Sequence, residues 1–237
     1  SRLGSRVGRW DLECQKEAAR VAGYLRRTAR LCLSFRAPLS ASVACEVSLY
    51  SDASWRSGRS QTGALVAVET VSAQGERTLL GLIDWASKKQ SIVADSSAAS
   101  ELIAAHACLR MHCPIALSLA AELGVSVTLW TDNSTVVRVS KSGASQKLSW
   151  LAPKPLMIRA GCLHDAVQLG MLSVGQVGTA RQLADGFTKA LQAVKLECWR
   201  ALIELGKQDS ELGEAVQSAA VAIQSQPSST NQSRPST

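Results

Sequence analysis

An α/β (α+β mixed) fold, a five-stranded mixed sheet with helices on both faces, is predicted by the order of patterns along this 237-residue chain. Three strand-like segments come first, and strands then alternate with helices; hairpin-joined strands followed by βα units imply one mixed sheet with helical cover. A further observation concerns chemistry. Asp52, Glu101, Asp132 and Asp185 each stand where an element should begin or end. Carboxylates drawn from distant parts of a sequence supply the oxygen ligands that hard divalent cations prefer.

The elements follow in order. Residues 10–30 predict an amphipathic helix, because Ala18, Val21, Ala22 and Leu25 recur at helical spacing with arginines opposite. Pro38 closes that region. From Glu46 the pattern becomes EVSLYSD, then GALVAVET from Gly63, then RTLLGLIDWAS over residues 77–87. The SAQGE turn joins the last two, so the three form an antiparallel meander. A long helix runs from Ser96 or Ser97, either able to serve as N-cap, to about Leu123. Ala98, Leu102, Ala105 and Leu109 form its apolar stripe, and Pro114 is expected to kink or divide it. Gly124 ends it, VSVTLWTD makes a buried strand, and a short helix starts after Asp132. A helix over residues 155–169 leads into the strand MLSVGQV. Thr179 and Gln182 stand at capping-box spacing, which predicts a further helix with Asp185 in its first two turns. From about Gln208 small and polar residues take over, and QSQPSSTNQSRPST has the composition of a disordered tail.

Composition narrows the function. The apolar share of 46% is enough for a packed core, and six of the ten aromatic residues are Trp. No apolar run is expected to reach the length of a membrane span, and the N-terminus lacks a signal-peptide pattern. The chain starts SRLGSRVGRW rather than with Met, as a piece of a longer product would. Seven cysteines without a CxxC pair suit a reducing compartment. His106, Cys108, His112 and Cys113 fall close together, but buried small residues explain them better than zinc does. Residues 1–36 carry nine Lys/Arg against three acids, which is nearly all of the net charge of +7. Such a segment suits either contact with a polyanion or a solvated helix face.

The motifs, taken in order, resemble one family. Tyr50, Asp52, Ala53 and Trp55 stand as YxDAxW, and Ser60 and Gly63 follow as Ser-x-x-Gly. Trp85 opens a W-x-SKKQ block that runs through a Ser pair to Glu101. Then come Glu122-Leu-Gly124, Asp132-Asn133, and Gln182 to Leu191 as Q-L-A-D-x-x-T-K-x-L. Across about residues 48–192 the chain resembles the ribonuclease H domain of copia-type (Pseudoviridae) retrotransposon Pol polyproteins, the part that follows reverse transcriptase. Residues 10–28 resemble that family's helix between polymerase and ribonuclease H. The resemblance implies a ribonuclease H-like fold over residues 45–206, a basic helical remnant of the reverse transcriptase connection over 1–40, and a polar tail over 207–237. There are departures. Residues 146–150 read QKLSW, with Trp150 where the family has His, and the downstream H-x-x-R-E becomes residues 156–160, LMIRA. The polymerase's own catalytic motif is absent.

What the resemblance implies is a metal-dependent endonuclease that hydrolyses the RNA strand of RNA/DNA hybrids during reverse transcription. Asp52, Glu101, Asp132 and Asp185 would be its catalytic and metal residues, holding two Mg²⁺ ions with Mn²⁺ as a substitute and Asp52 shared. Ser97, Asn133 and Ser134 are candidate donors to the 2′-hydroxyls displayed in the minor groove. Lys88, Lys89 and Lys189 are candidate phosphate contacts, or ordinary surface lysines. The implied partners are the hybrid and the reverse transcriptase domain of the same polyprotein, with no membrane, in the cytoplasm including virus-like particles. Singly, each acid has a plainer reading: Asp132 as a helix cap, Glu101 as a solvated helix residue, Asp185 as favouring a helix dipole. Two other functions compete, a nucleic-acid-binding module that cuts weakly or not at all, and another nuclease such as an integrase or resolvase.

Overall fold

The computed structural model describes residues 3–36, 43–55, 58–143, 151, 153–203 and 205–207. The Gln146 to Trp150 stretch and the tail from residue 208 lie outside the described residues. Five helices are described, α1 (Leu12–Arg27), α2 (Ser97–Leu123), α3 (Ser134–Ser142), α4 (Lys154–Gln168) and α5 (Ala193–Leu202). The strands are β1 (Leu31–Leu33), β2 (Ala44–Ser54), β3 (Gln61–Val71), β4 (Arg77–Lys89), β5 (Val127–Thr131), β6 (Ser173–Gln176) and β7 (Leu205–Lys207). The predicted architecture is the one found. Strands β4-β3-β2-β5-β6 form a five-stranded sheet, antiparallel across β4, β3 and β2 and parallel from β2 to β6. Strands β1 and β7 pair as a separate antiparallel ribbon, which joins the segment after α1 to the segment after α5.

Helices cover both faces because the central strands are apolar on both. Val47, Leu49, Ala64, Val66, Val127 and Leu129 pack under Leu102, Ala105 and Cys108 of α2, with α3 and α4 completing that layer through Val136, Val139, Ala160 and Leu163. Tyr50, Leu65, Ala67 and Leu79 face the other way, against Leu183, Ala184, Ile203 and, at the edge, Trp199. A central strand buried on both sides reads as a continuous apolar run rather than as an alternation.

Ser96, not Ser97, is the N-cap of α2; its hydroxyl accepts from the Ala99 N–H at 3.2 Å. Gly124 ends the helix in the left-handed conformation (φ 66°), a backbone shape that costs glycine nothing. Pro114 does not divide it. The helix runs unbroken from residue 97 to 123, and Pro114 and Arg110 both lie on its exposed side, so water can satisfy the Arg110 carbonyl that proline leaves unpaired. The same helix corrects another expectation: it is long and apolar enough to cross a membrane. Its buried residues lie against the sheet, and the core helix of a globular domain has the same length and composition. The first helix also differs from expectation. It forms, with Asp11 as N-cap accepting from Cys14 N–H at 2.8 Å, but Val21 and Leu25 of its apolar stripe are 48% and 60% exposed. Only Cys14 is buried among its residues.

One polar network crosses the face of the sheet below the site. Arg77 of β4 pairs with Glu46 of β2 and, at 3.3 Å, with Glu69 of β3. The Tyr50 hydroxyl donates to Glu69 at 3.0 Å, Thr128 of β5 donates to Glu46, and Ser173 of β6 meets Thr128 at 2.8 Å. The Arg77 guanidinium lies 4.0 Å from the centre of the Trp130 ring. All five strands contribute, so the network fixes their register as well as their polar balance. Burial pushes the Glu69 carboxyl above its ordinary range against the opposing bonds from Ser48, Tyr50 and Arg77.

Replacing Arg77 by Met leaves both carboxylates without their cation, and the loss of one partner of a buried ion pair costs about 3–5 kcal/mol. Urea unfolding of Arg77→Met at pH 7 is expected to show a loss of that size. The loss should shrink at acidic pH. A folded-state pKa raised above the unfolded value gives stability that is present at low pH and lost as pH rises through the folded value. A deficit that stays constant with pH would count against the network.

Candidate active site

Strand pairing brings the acids together. Asp52 lies near the end of β2, and the parallel β2–β5 register, which runs to Tyr50 opposite Trp130, continues to place Asp52 beside Asp132 just past β5. Helix α2 packs across β2, and Glu101, in its second turn, reaches the same sheet end, where its Oε1 accepts the Ala53 N–H at 3.2 Å. Ligand oxygens of Asp52, Glu101 and Asp132 lie within 4.8 Å of one another. Among the described residues this is the group of His, Cys, Asp and Glu side chains arranged to hold a metal ion. Cys108 instead points its thiol at the Tyr50 carbonyl, and His112 Nδ1 bonds Asp84 at 2.8 Å. All seven cysteines are free thiols.

Asp185 reaches the site from the opposite face, though not on the helix predicted for it. Residues 179–181 and 183–187 form two 3-10 turns, and Gln182 rather than Thr179 caps the second, its side chain accepting from Ala184 N–H at 3.2 Å. The reason is tertiary. Leu183 and Ala184 are buried against the sheet, and the Gln182 amide donates to the Ser51 carbonyl at 2.9 Å. The turn also approaches β3 so closely that a Cβ on Gly63 would lie 2.6 Å from the Ala184 carbonyl oxygen. The backbone is held where a regular α-helix would not keep these contacts. Thr179, freed from capping, donates to Asp132 Oδ2 at 3.2 Å.

Each carboxylate therefore has a named support. Thr188 donates its hydroxyl to Asp52. Lys189 donates to Asp185 and stands 3.8 Å from Asp52 Oδ2. Burial is the main force on Asp52 and raises its pKa; the Thr188 bond and Lys189 oppose the shift, while Asp185 and Asp132 add to it. Glu101 is affected most. Burial first, then Asp52 and Asp132, push its carboxyl up to about 9, and its Oε2 is buried without a hydrogen-bond partner.

The remaining predicted residues lie around this cluster in different roles. Ser97 and Ser134 are exposed at the starts of α2 and α3. Asn133 uses its side-chain oxygen to cap α3, accepting from Thr135 N–H at 3.0 Å and Val136 N–H at 3.2 Å. Lys88 and Lys89 are exposed at the end of the edge strand β4. Lys189 faces carboxylates rather than open solvent alone. Thr188, Thr179 and Gln182 were not singled out from the sequence as site residues; their hydroxyls and amide carry no signal until the chain closes on itself. Gln90 likewise has a structural task, donating to the Ser100 carbonyl at 2.9 Å and to Thr62 at 3.1 Å, which ties β4 and β3 to the first turn of α2.

The sequence matches no protein-family model and no curated protein. Solved structures similar to it include the N-terminal RNase H domain of a Mycobacterium tuberculosis protein, solved as a fusion with maltose-binding protein, with 18% identity over 61% of this chain and 91% of that one and a TM-score of 0.38. RNase H1 of the halophilic archaeon Halobacterium salinarum is 19% identical over 60% of this chain and 93% of its own, with a TM-score of 0.35. The protease-reverse transcriptase of prototype foamy virus is 11% identical over 66% of this chain and 22% of its own, with a TM-score of 0.35. At these scores the likeness carries no residue role and no activity to this chain.

Proposed function

We propose that this chain is a divalent-metal-dependent ribonuclease H that cuts the RNA strand of RNA/DNA hybrids. The observation that carries the reading is the convergence of Asp52, Glu101 and Asp132, from three elements far apart in sequence, to within 4.8 Å. Like charges this close resist joint ionisation, and Glu101 also keeps a buried oxygen with no partner. Both features fit an oxygen-ligated hard cation, Mg²⁺ or Mn²⁺, and neither is relieved by the hydrogen bonds present. The residues that would hold it are Asp52, Glu101 and Asp132, with Asp185 beside them. Divalent cations held there would supply Lewis acidity at the attacking and departing oxygens of a phosphodiester.

The chain's own residues do the rest. Thr188 fixes the Asp52 carboxylate, the Ala53 N–H fixes Glu101, and Thr179 fixes Asp132, so the acids are oriented before substrate arrives. Exposed Ser97 and Ser134 and the amide of Asn133, whose oxygen caps α3, are the donors we assign to a 2′-hydroxyl. Lys88 and Lys89 offer phosphate contacts along the edge strand. The setting we propose is the Pol polyprotein of a copia-type retrotransposon, with the reverse transcriptase domain as partner, in the cytoplasm and its virus-like particles. The motif order across residues 48–192 supports it.

The test is cleavage of a hybrid labelled on its RNA strand, in Mg²⁺, with EDTA as control. Asp52→Asn is expected to lower cleavage beyond about 100-fold, because a group that would hold the cation is lost rather than merely its support. Binding of the hybrid without cleavage in Mg²⁺ or Mn²⁺ would favour the weak or inactive binding module instead.

Thr188 gives a finer test. Thr188→Val keeps the shape that packs near Gly63 but removes the donor to Asp52, and loss of such support costs roughly 10–100-fold in metal affinity or activity. Thr188→Ser should stay near the unsubstituted chain. Equal losses in both variants would mean that the residue acts through packing alone.

A further inference from the structure

We propose that the Lys189 ammonium is a built-in counter-ion of the acidic cluster, one that must swing out before a second divalent cation is bound. The inference rests on the reading of the cluster as a divalent-cation site and concerns how that site fills. The two sides of the cluster are not alike. On the Glu101 side, Asp52, Glu101 and Asp132 converge, and Glu101 Oε2 is buried without a partner. On the Asp185 side, Lys189 donates to Asp185 Oδ1 and lies 3.8 Å from Asp52 Oδ2. Asp185 stands outside the convergent group of three. A positive charge of the protein's own therefore sits between Asp185 and Asp52, where a cation shared by those two carboxylates would otherwise sit.

Geometry makes the ammonium displaceable. Lys189 is four residues after Asp185 and follows the second 3-10 turn, and its side chain is 41% exposed. A lysine is a compact point charge on a flexible stem, so the head can leave for water without moving the backbone that holds Thr188 on Asp52. The first cation, on the open Glu101 side, does not compete with it. A second cation, between Asp52 and Asp185, does. Lys189 is thus a positioning residue: it steadies Asp185 and Asp52 in the metal-free chain and sets the order and affinity of metal binding. Once displaced, the same ammonium is free to meet a phosphate.

Titration of the full chain with Mn²⁺ by calorimetry, with thermal unfolding in EDTA and in saturating Mn²⁺, tests this without any turnover. The unsubstituted chain is expected to bind one ion tightly and a second more weakly. Lys189→Met should tighten the second ion roughly tenfold or more, the scale of one partly screened charge at ~4 Å, and leave the first nearly unchanged. The variant should unfold at lower temperature than the unsubstituted chain in EDTA and at the same temperature in Mn²⁺. Lys189→Arg, which keeps the charge, should restore the weak second site, and Lys189→Gln replaces the Met variant if that one fails to fold. Identical isotherms for Lys189→Met and the unsubstituted chain would overturn the counter-ion role while leaving the metal reading intact. So would an equal fall in unfolding temperature with and without Mn²⁺, which marks simple packing. If the folded, unsubstituted chain binds no Mn²⁺ at all, the metal reading itself fails and this inference with it.

Discussion

Mutual repulsion among the acids is the constraint around which the structure is arranged. Three carboxylates with oxygens within 4.8 Å of one another, two of them buried, do not assemble by preference. Covalent and packing forces elsewhere must hold them. Asp52 and Asp132 are fixed by the parallel pairing of β2 and β5, Glu101 by the apolar face of α2 on the sheet, and Asp185 by burial of Leu183 and Ala184 on the other face. Each acid is carried by an element whose own stability comes from apolar burial far from the charge. The folding energy of the core thereby holds a crowded cluster of carboxyl groups at one sheet end.

The two polar regions of the sheet differ in how their charges are balanced. Glu46, Glu69, Arg77, Tyr50 and Thr128 answer one another's hydrogen-bonding needs, and the guanidinium supplies the balancing charge. That region carries its own balancing charge, although the Trp130 Nε1 beside it is buried without a partner. At the other end, Thr188, Thr179, Lys189 and the Ala53 N–H support individual carboxylate oxygens, but Glu101 Oε2 is left bare. Buried polar groups are nearly always satisfied, and what sets the acidic end apart is that its unpartnered buried atom, Glu101 Oε2, is a carboxyl oxygen beside like charges. Burial and like charge acting together on Glu101, which raise its carboxyl to about 9, express the same deficit.

Elements that depend on local pattern were legible in the residues. The strand meander, the long helix opened by one of the serines at 96 and 97 and closed by Gly124, and the short helix after Asp132 are set by alternation, helical spacing and caps, all properties of neighbours in sequence. The acids were legible as candidates because they stand at the ends of those elements. Where local pattern misled, a tertiary contact won. Thr179 and Gln182 have capping-box spacing, yet Gln182 is drawn to the Ser51 carbonyl and Thr179 to Asp132, and the expected helix gives way to two 3-10 turns. The stripe of α1 has the periodicity of a buried face, yet Val21 and Leu25 face solvent. Glu46 and Glu69 are buried, and Arg77 and Tyr50 meet them from neighbouring strands, which no local pattern signals.

Local pattern carries the three-stranded meander, the long helix, the strand that precedes Asp132 and the acids at the ends of these elements, since helix spacing, strand alternation and turn chemistry act over a few residues; it carries neither the 3-10 turns around Asp185 nor the pairing of β1 with β7. That Asp52, Glu101 and Asp132 share one space while Asp185 is held by Lys189, and that Thr188 serves Asp52, follows from the tertiary structure. Those facts depend on register between strands 80 residues apart and on how closely one turn approaches Gly63. Distance between side chains is a property of packing, and no local pattern encodes it.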